Sequence, residues 1–280
     1  MPIIPKLGVG IGYRPEIQAF YPRARGIDFV EIVAENLDHG VPPALDGLRE
    51  RGIAVIPHGI SLSVGGAALP DRARIDRLAK LARRLGAPFV SEHLCFVRGG
   101  GLESGHLLPV PRTREMLSIV VENVRTVQAR LPVPLVLENI AALFEWPGAE
   151  MDEATFLAEV LEQTGAYLLL DVANLHANAQ NLGWDPNAFL DRLPLERLAY
   201  VHVAGGRRLD GYYHDTHAHA VPPSVFDLVA EVAGRVPALN VMLERDGNFP
   251  PEAEIQAELD DIAEALARGR RTSGSLTHAA

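Results

Sequence analysis

Eight short apolar or β-rich runs recur along the chain, each read as followed by a segment with helical spacing of apolar residues, and this alternation restricts the fold more than any other feature. The runs lie at 7–12, 29–34, 54–58, 89–94, 135–139, 168–172, 200–204 and 241–245. Those reading LVLEN, YLLLDV and VMLER are nearly continuous in apolar residues up to a polar end, as expected of parallel strands buried on both faces. Between them, 71–85 places Ile75, Leu78, Ala79, Ala82 and Leu85 on one stripe and stops at Gly86. Further helices are predicted at 113–131, 151–165, 222–236 and 251–267, with shorter ones at 42–51 and 186–193. Such strand–helix units predict an α/β fold, a single (β/α)8 TIM-barrel domain over 1–267. The rival, an open doubly wound sheet, lacks its glycine-rich phosphate loop; Gly8, Gly10 and Gly12 fall at every second position, which suits a strand whose inward face is kept small. Residues 268–280 are polar and small and are expected to form a flexible C-terminal tail.

The formal charge is -10 and no basic patch stands out, which argues against a nucleic-acid partner or an anionic membrane surface. Cys95 is the single cysteine, so no internal disulfide is possible. Residues 1–12 are interrupted by Pro2, Pro5, Gly8 and Gly10 and lack a signal-peptide apolar region, and no long uncharged span follows. The expectation is a soluble, cytoplasmic protein.

The polar strand ends carry the chemistry. The third run ends in Pro57-His58-Gly59, the fourth in Glu92-His93, the fifth in Glu138-Asn139, the sixth in Asp171 with Asn174 and His176 beyond, the seventh in His202 and the eighth in Glu244. In a parallel barrel these ends share one rim. Burying so many carboxylates and imidazoles together is expensive unless cations neutralise them, and Arg and Lys are mostly absent here, Arg245 being the nearest. A metal cluster of iron, manganese or zinc suits imidazole and carboxylate donors without thiolate. After the seventh run, YYHDTHAHAV holds His214, Asp215, His217 and His219; Asp215 and His217 would share a face in an extended segment. His214 and His219 also read as a surface run, Cys95 as a small buried hydrophobe, Glu31 and Glu35 as supporting residues, and Trp146 and Trp184 as packing or rim residues.

The ordered pieces GVGIGYRPE, DFVEIVAEN, PHGISLSVGG, SEHLCF, LVLENIAALF, LLLDVANLHANAQNLGWD, VHVAGG, DTHAHAV and VMLERDGNFP resemble the DUF692 (UPF0276) family, the multinuclear non-haem iron-dependent oxidative enzymes (MNIO). The resemblance implies a xylose-isomerase-like TIM barrel holding two or three iron ions on His58, His93, Glu138 as a bridge, Asp171, Asn174, His202, Asp215, His217 and Glu244. It further implies an iron- and dioxygen-dependent oxidoreductase that modifies a ribosomally made precursor peptide, mostly at cysteine, with a separate partner protein delivering the peptide. Two departures stand out: Ser-Glu-His at residues 91–93 where Ser-Asp-His is common, and Asn174 where some members carry His. The residues read by themselves also admit a zinc or manganese hydrolase or isomerase of the same barrel superfamily, or a non-catalytic metal-binding or peptide-carrier protein.

Overall fold

The computed structural model describes residues 4–37, 40–236 and 238–277, with side chains to residue 272. All eight predicted strands form: β1 (Val9–Gly12), β2 (Phe29–Val33), β3 (Ala54–Gly59), β4 (Val90–His93), β5 (Leu135–Glu138), β6 (Tyr167–Asp171), β7 (Leu198–Val203) and β8 (Val241–Leu243). Each pairs in parallel with its sequence neighbours and β1 closes onto β8, giving the expected closed barrel. The register aligns His93 with Glu138 and Asp171 with His202, so candidate ligands on adjacent strands stand side by side.

Two apolar cores sandwich the sheet. The outer one lies between strands and helices, where α2 (Arg72–Leu85) buries the five stripe residues read from the sequence. The inner one fills the barrel with Phe29, Ile56, Phe89, Val136, Leu169, Tyr200 and Met242. Because side chains alternate along a strand, the residue two places further faces the same interior one layer higher. Those positions are Glu31, His58, Ser91, Glu138, Asp171, His202 and Glu244. The barrel thus changes from apolar to polar within one pleat. The glycines of β1 make room for this filling: a Cβ on Gly10 would lie 2.6 Å from the Phe29 ring, and one on Gly12 would lie 3.2 Å from the Arg14 guanidinium.

Helix ends follow the sequence signals. Asp71, Thr113 and Asp152 cap α2, α3 (Arg114–Gln128) and α4 (Glu153–Thr164) with their side-chain oxygens, while Gly86 and Gly165 terminate α2 and α4 in the left-handed conformation. The flanking predictions appear as α1 (Pro43–Glu50), a shortened α6 (Pro186–Leu190), and α7 (Pro223–Arg235).

Four features depart from the sequence reading. Helix α5 (Val172–Leu182) follows β6 directly, its first turn capped by Asp171 itself, so one residue both ends a strand and starts a helix. Two antiparallel hairpins decorate the loops after β4 and β7: Phe96–Gly99 with Leu102–Leu108, and Arg207–Leu209 with Tyr212–His214. Helix α8 (Glu252–Thr277) does not stop at Ala267, and the expected tail over 268–277 is instead helical; residues 278–280 lie outside the described residues. The reason is Gly269, which serves packing: an added Cβ would lie 2.1 Å from the Ala230 carbonyl oxygen of α7 and 2.8 Å from Ala233 Cβ. Among the described residues no helix is long and apolar enough to cross a membrane.

Candidate metal centre

The ligand candidates converge where the inner layer turns polar. Glu138 stands at the middle of the His58 side: its Oε2 lies 3.4 Å from His58 Nε2 and 3.3 Å from His93 Nε2, and its Oε1 lies 3.4 Å from His202 Nδ1. His202 Nδ1 in turn faces Glu244 Oε2 at 3.0 Å and Asp171 Oδ2 at 4.0 Å. His217 reaches Glu244 Oε2 at 3.4 Å through Nδ1 and Asp215 Oδ2 at 2.9 Å through Nε2. Ligand atoms fall into overlapping groups, each within 4.8 Å: His58, His93 and Glu138; Glu138, Asp171 and His202; Asp171, His217 and Glu244; and Glu31, His202 and Glu244. Shared carboxylates between neighbouring groups are what a bridged cluster needs.

Second contacts orient the rings. His58 Nδ1 meets Ser91 Oγ at 2.8 Å, and His93 Nδ1 meets the Gly59 carbonyl at 3.2 Å, which leaves both Nε2 atoms toward Glu138. Asn174 donates its amide nitrogen to the Asn139 carbonyl at 3.0 Å and its backbone N–H to Asp171 at 2.7 Å, so its side-chain oxygen is the atom left for a cation beside Asp171.

Charge in this nest is poorly balanced. Burial disfavours the imidazolium of His93, yet Glu138 and Glu92 outweigh it and raise the pKa to about 9. His202 is also raised against burial, by Glu31 and Glu138, and His217 by Glu244 and Asp215. Burial pushes Glu138 up, but His93 and His202 hold it down to about 2; Glu244 is likewise held low, by His217 and His202. Asp171 goes the other way: burial, then Asp215 and Glu138, raise its carboxyl well above the usual range. Protons on His93, His202 and His217 are therefore counter-charges of the bare protein. Among the described residues, four buried side-chain atoms make no hydrogen bond despite close charged neighbours, and all belong to this nest: Glu138 Oε2, Asp171 Oδ2, His202 Nδ1 and Asp215 Oδ1. An unsatisfied buried polar atom costs about 1–3 kcal/mol, so their concentration in one place fits cations as the missing partners.

Several expectations need correction. Asp215 and His217 do meet, but by a turn: His217 has φ 51°, a left-handed conformation unusual for a non-glycine residue. Arg245 points away, its guanidinium on Glu258 at 2.7 Å. The cation that approaches the nest is Arg14, which lies 3.4 Å from Glu244 and pairs with Asp246 through Nε at 2.9 Å. Glu31 does support the site, with Tyr200 and His202 on its carboxylate, while Glu35 only accepts from the Ile60 N–H. His176 packs on Tyr213, and burial lowers its pKa; His219 is tied to Thr216, and His214 sits in the second hairpin paired to Arg207. Cys95 is buried, and burial, with Glu92 and Glu138, raises its thiol pKa, so no thiolate is offered. Trp146 joins Phe144 and Phe96 in a rim cluster and Trp184 stacks on Phe189. The residues missed outright, Arg14, Asp246, Ser91 and Tyr200, include two with a legible signal: Ser91 and Tyr200 each stand two places before a strand-end histidine and share its face.

Comparison with known proteins places the fold and the family. The barrel resembles L-ribulose 3-epimerase (TM-score 0.63, 16% identity, 96% of this chain and 97% of that one) and D-psicose 3-epimerase from Clostridium cellulolyticum H10 (TM-score 0.61, 16% identity, 92% and 99%). A xylose isomerase domain protein from Planctomyces limnophilus aligns similarly, at TM-score 0.57. At such identities the likeness shows the xylose-isomerase-like barrel alone. A UPF0276 protein of Streptomyces avermitilis is 54% identical over 93% of this chain, which spans only 55% of that relative's length. A UPF0276 protein of Caulobacter vibrioides is 40% identical over 98% of this chain and 99% of its own. The family described as RiPP precursor modification enzyme MbnB/TglH/ChrH matches residues 8–267. This chain is a member of that family of peptide-modifying enzymes.

Proposed function

We propose that this enzyme binds two or three iron ions on His58, His93, Glu138, Asp171, Asn174, His202, Asp215, His217 and Glu244, and uses dioxygen to oxidise a cysteine of a ribosomally made precursor peptide. The observation that carries the reading is the set of four unpartnered buried atoms, three on carboxylates and one on an imidazole, all in the same nest. Family membership supplies the peptide substrate class. Iron, when bound, would supply a site for the substrate thiolate and one-electron chemistry with dioxygen.

The chain's own residues do the rest. His58, His93 and His202 would each offer one ring nitrogen to a cation, and Glu138 joins the groups on either side of it. Arg14 holds Glu244 and Asp246, which limits how far these carboxylates swing toward solvent. The barrel holds the nest away from bulk water, with Asp171 and His202 fully buried. On the same rim the loop after β5 exposes Leu143, Phe144 and Trp146, apolar surface of the kind peptide side chains cover. In this reading a separate protein delivers the precursor and the reaction takes place in the cytoplasm.

The test is metal analysis after anaerobic purification, followed by oxygen uptake with a precursor peptide encoded beside the gene. Glu138→Ala and His93→Ala should each lose bound iron and peptide oxidation together. Iron and turnover both retained in either variant would contradict the assignment.

A further inference from the structure

Beneath the ligand nest a continuous hydrogen-bond chain links two of its imidazoles. His58 Nδ1 lies 2.8 Å from Ser91 Oγ, which lies 2.6 Å from Tyr200 Oη. Tyr200 Oη lies 2.5 Å from Glu31 Oε2, and the same oxygen lies 3.0 Å from His202 Nε2. Every member is buried: Ser91, Tyr200 and His202 are 0% exposed, Glu31 and His58 2%. Bulk solvent therefore does not reach these bonds.

The direction of each bond follows from the one group that can only accept. Glu31 accepts, so the single Tyr200 proton goes to it. The Tyr200 oxygen is then an acceptor and takes the Ser91 hydroxyl proton. The Ser91 oxygen takes the hydrogen on His58 Nδ1, which leaves a lone pair at His58 Nε2. On the other branch the neutral, ligating form of His202 donates from Nε2 to Glu31, which leaves its lone pair at Nδ1. These are the two nitrogens that stand 3.4 Å from Glu138, on opposite positions of their rings. Their different tautomers are set by one carboxylate.

We infer that Glu31 is a positioning residue for two ion sites at once, acting directly on His202 and through Tyr200 and Ser91 on His58. The inference rests on the metal reading proposed above and adds an asymmetry to it. Tyr200 and Ser91 belong to the His58 branch only, whereas Glu31 belongs to both.

Tyr200→Phe, Ser91→Ala and Glu31→Gln, beside wild type, would be titrated anaerobically with iron(II) and with cobalt(II). Ions per chain would be counted by mass spectrometry of the metal, and the cobalt d–d absorption would report ligand geometry. Tyr200→Phe and Ser91→Ala should each weaken one ion about 10–100-fold, the usual size of such an outer contact, and leave the others at wild-type affinity. Glu31→Gln should weaken two. Wild type that binds neither metal sinks the metal reading itself. Wild type that binds, with Tyr200→Phe and Ser91→Ala matching it in affinity and spectrum, or losing all ions equally, overturns this inference while leaving the metal reading intact. Thermal unfolding of the metal-free forms identifies a variant that fails to fold, and the two His58-branch variants are independent of each other in that respect.

Discussion

Leu169 and Asp171 sit on one strand, on one inward face, a single pleat apart, and they belong to opposite regimes. Leu169 is fully buried in the inner apolar core with Ile56, Val136 and Met242. Asp171 is as fully buried, but among Glu138, His202 and Asp215, with one oxygen unpartnered. The same step recurs from Val136 to Glu138 and from Met242 to Glu244. The lower layer is satisfied by packing alone; the upper layer gathers acids and imidazoles and leaves four of their buried atoms unpartnered, which cations could balance. Stability and function are therefore separable by two residues of chain. Tyr200 spans the divide, with its ring against Phe29 and Phe89 and its hydroxyl on Glu31 and Ser91.

This contrast can be broken most easily in the lower layer. Leu169→Ala should destabilise the protein by about 2–5 kcal/mol, by the same amount with and without metal, as chemical denaturation of both forms would measure. A penalty that vanishes on loading would mean the two layers are not independent. Metal removal acts only above. At free metal a thousandfold over the dissociation constant, loading should add about 4 kcal/mol and raise the thermal midpoint on the order of 10 °C relative to the chelated protein.

The pH dependence of that difference sharpens the comparison. In the bare protein His93 is raised to about 9, above the ordinary value of 6.5. Its contribution is thus fully present below pH 6.5 and is lost as pH rises through 9. A metal-bound imidazole is already neutral, so the loaded form should not share this loss, and the gap between loaded and chelated midpoints should widen from pH 6.5 to 9. A gap that narrows would argue against His93 as a ligand. The smallest effect has the opposite sign to the first. Because the Asp171 carboxyl is pushed up, its stabilising contribution is present at low pH and is lost as pH rises through the folded value, and at neutral pH it strains the bare fold. Asp171→Asn keeps a side-chain oxygen to cap α5 and removes that strain, so the chelated variant should gain on the order of 1 kcal/mol while binding metal more weakly. A chelated variant less stable than wild type would show that Asp171 is not the frustrated group.

The sequence carried the barrel because buried parallel strands announce themselves as apolar runs with polar ends, and all eight runs became strands. It carried the ligand candidates for the same reason: strand ends share a rim. What escaped it depended on partners distant in sequence. Helix α5 was hidden because Asp171 serves as strand end, cap and candidate ligand together. Gly269 reads as a helix stop until Ala230 is seen against it. Arg14 lies 230 residues from Glu244, and nothing local in GVGIGYRPE says that its guanidinium turns toward β8. The turn at His217 likewise replaces the simple alternation that its spacing from Asp215 suggests.

Crystals of anaerobically iron-loaded protein, measured on both sides of the iron absorption edge, address the central claim most directly. The account predicts two or three anomalous peaks bounded by His58, His93, Glu138, His202, Asp171, His217 and Glu244, with the unpartnered atoms of the nest turned onto them. No peak there, with the carboxylates instead drawn onto Arg14 and onto protonated histidines, would contradict it.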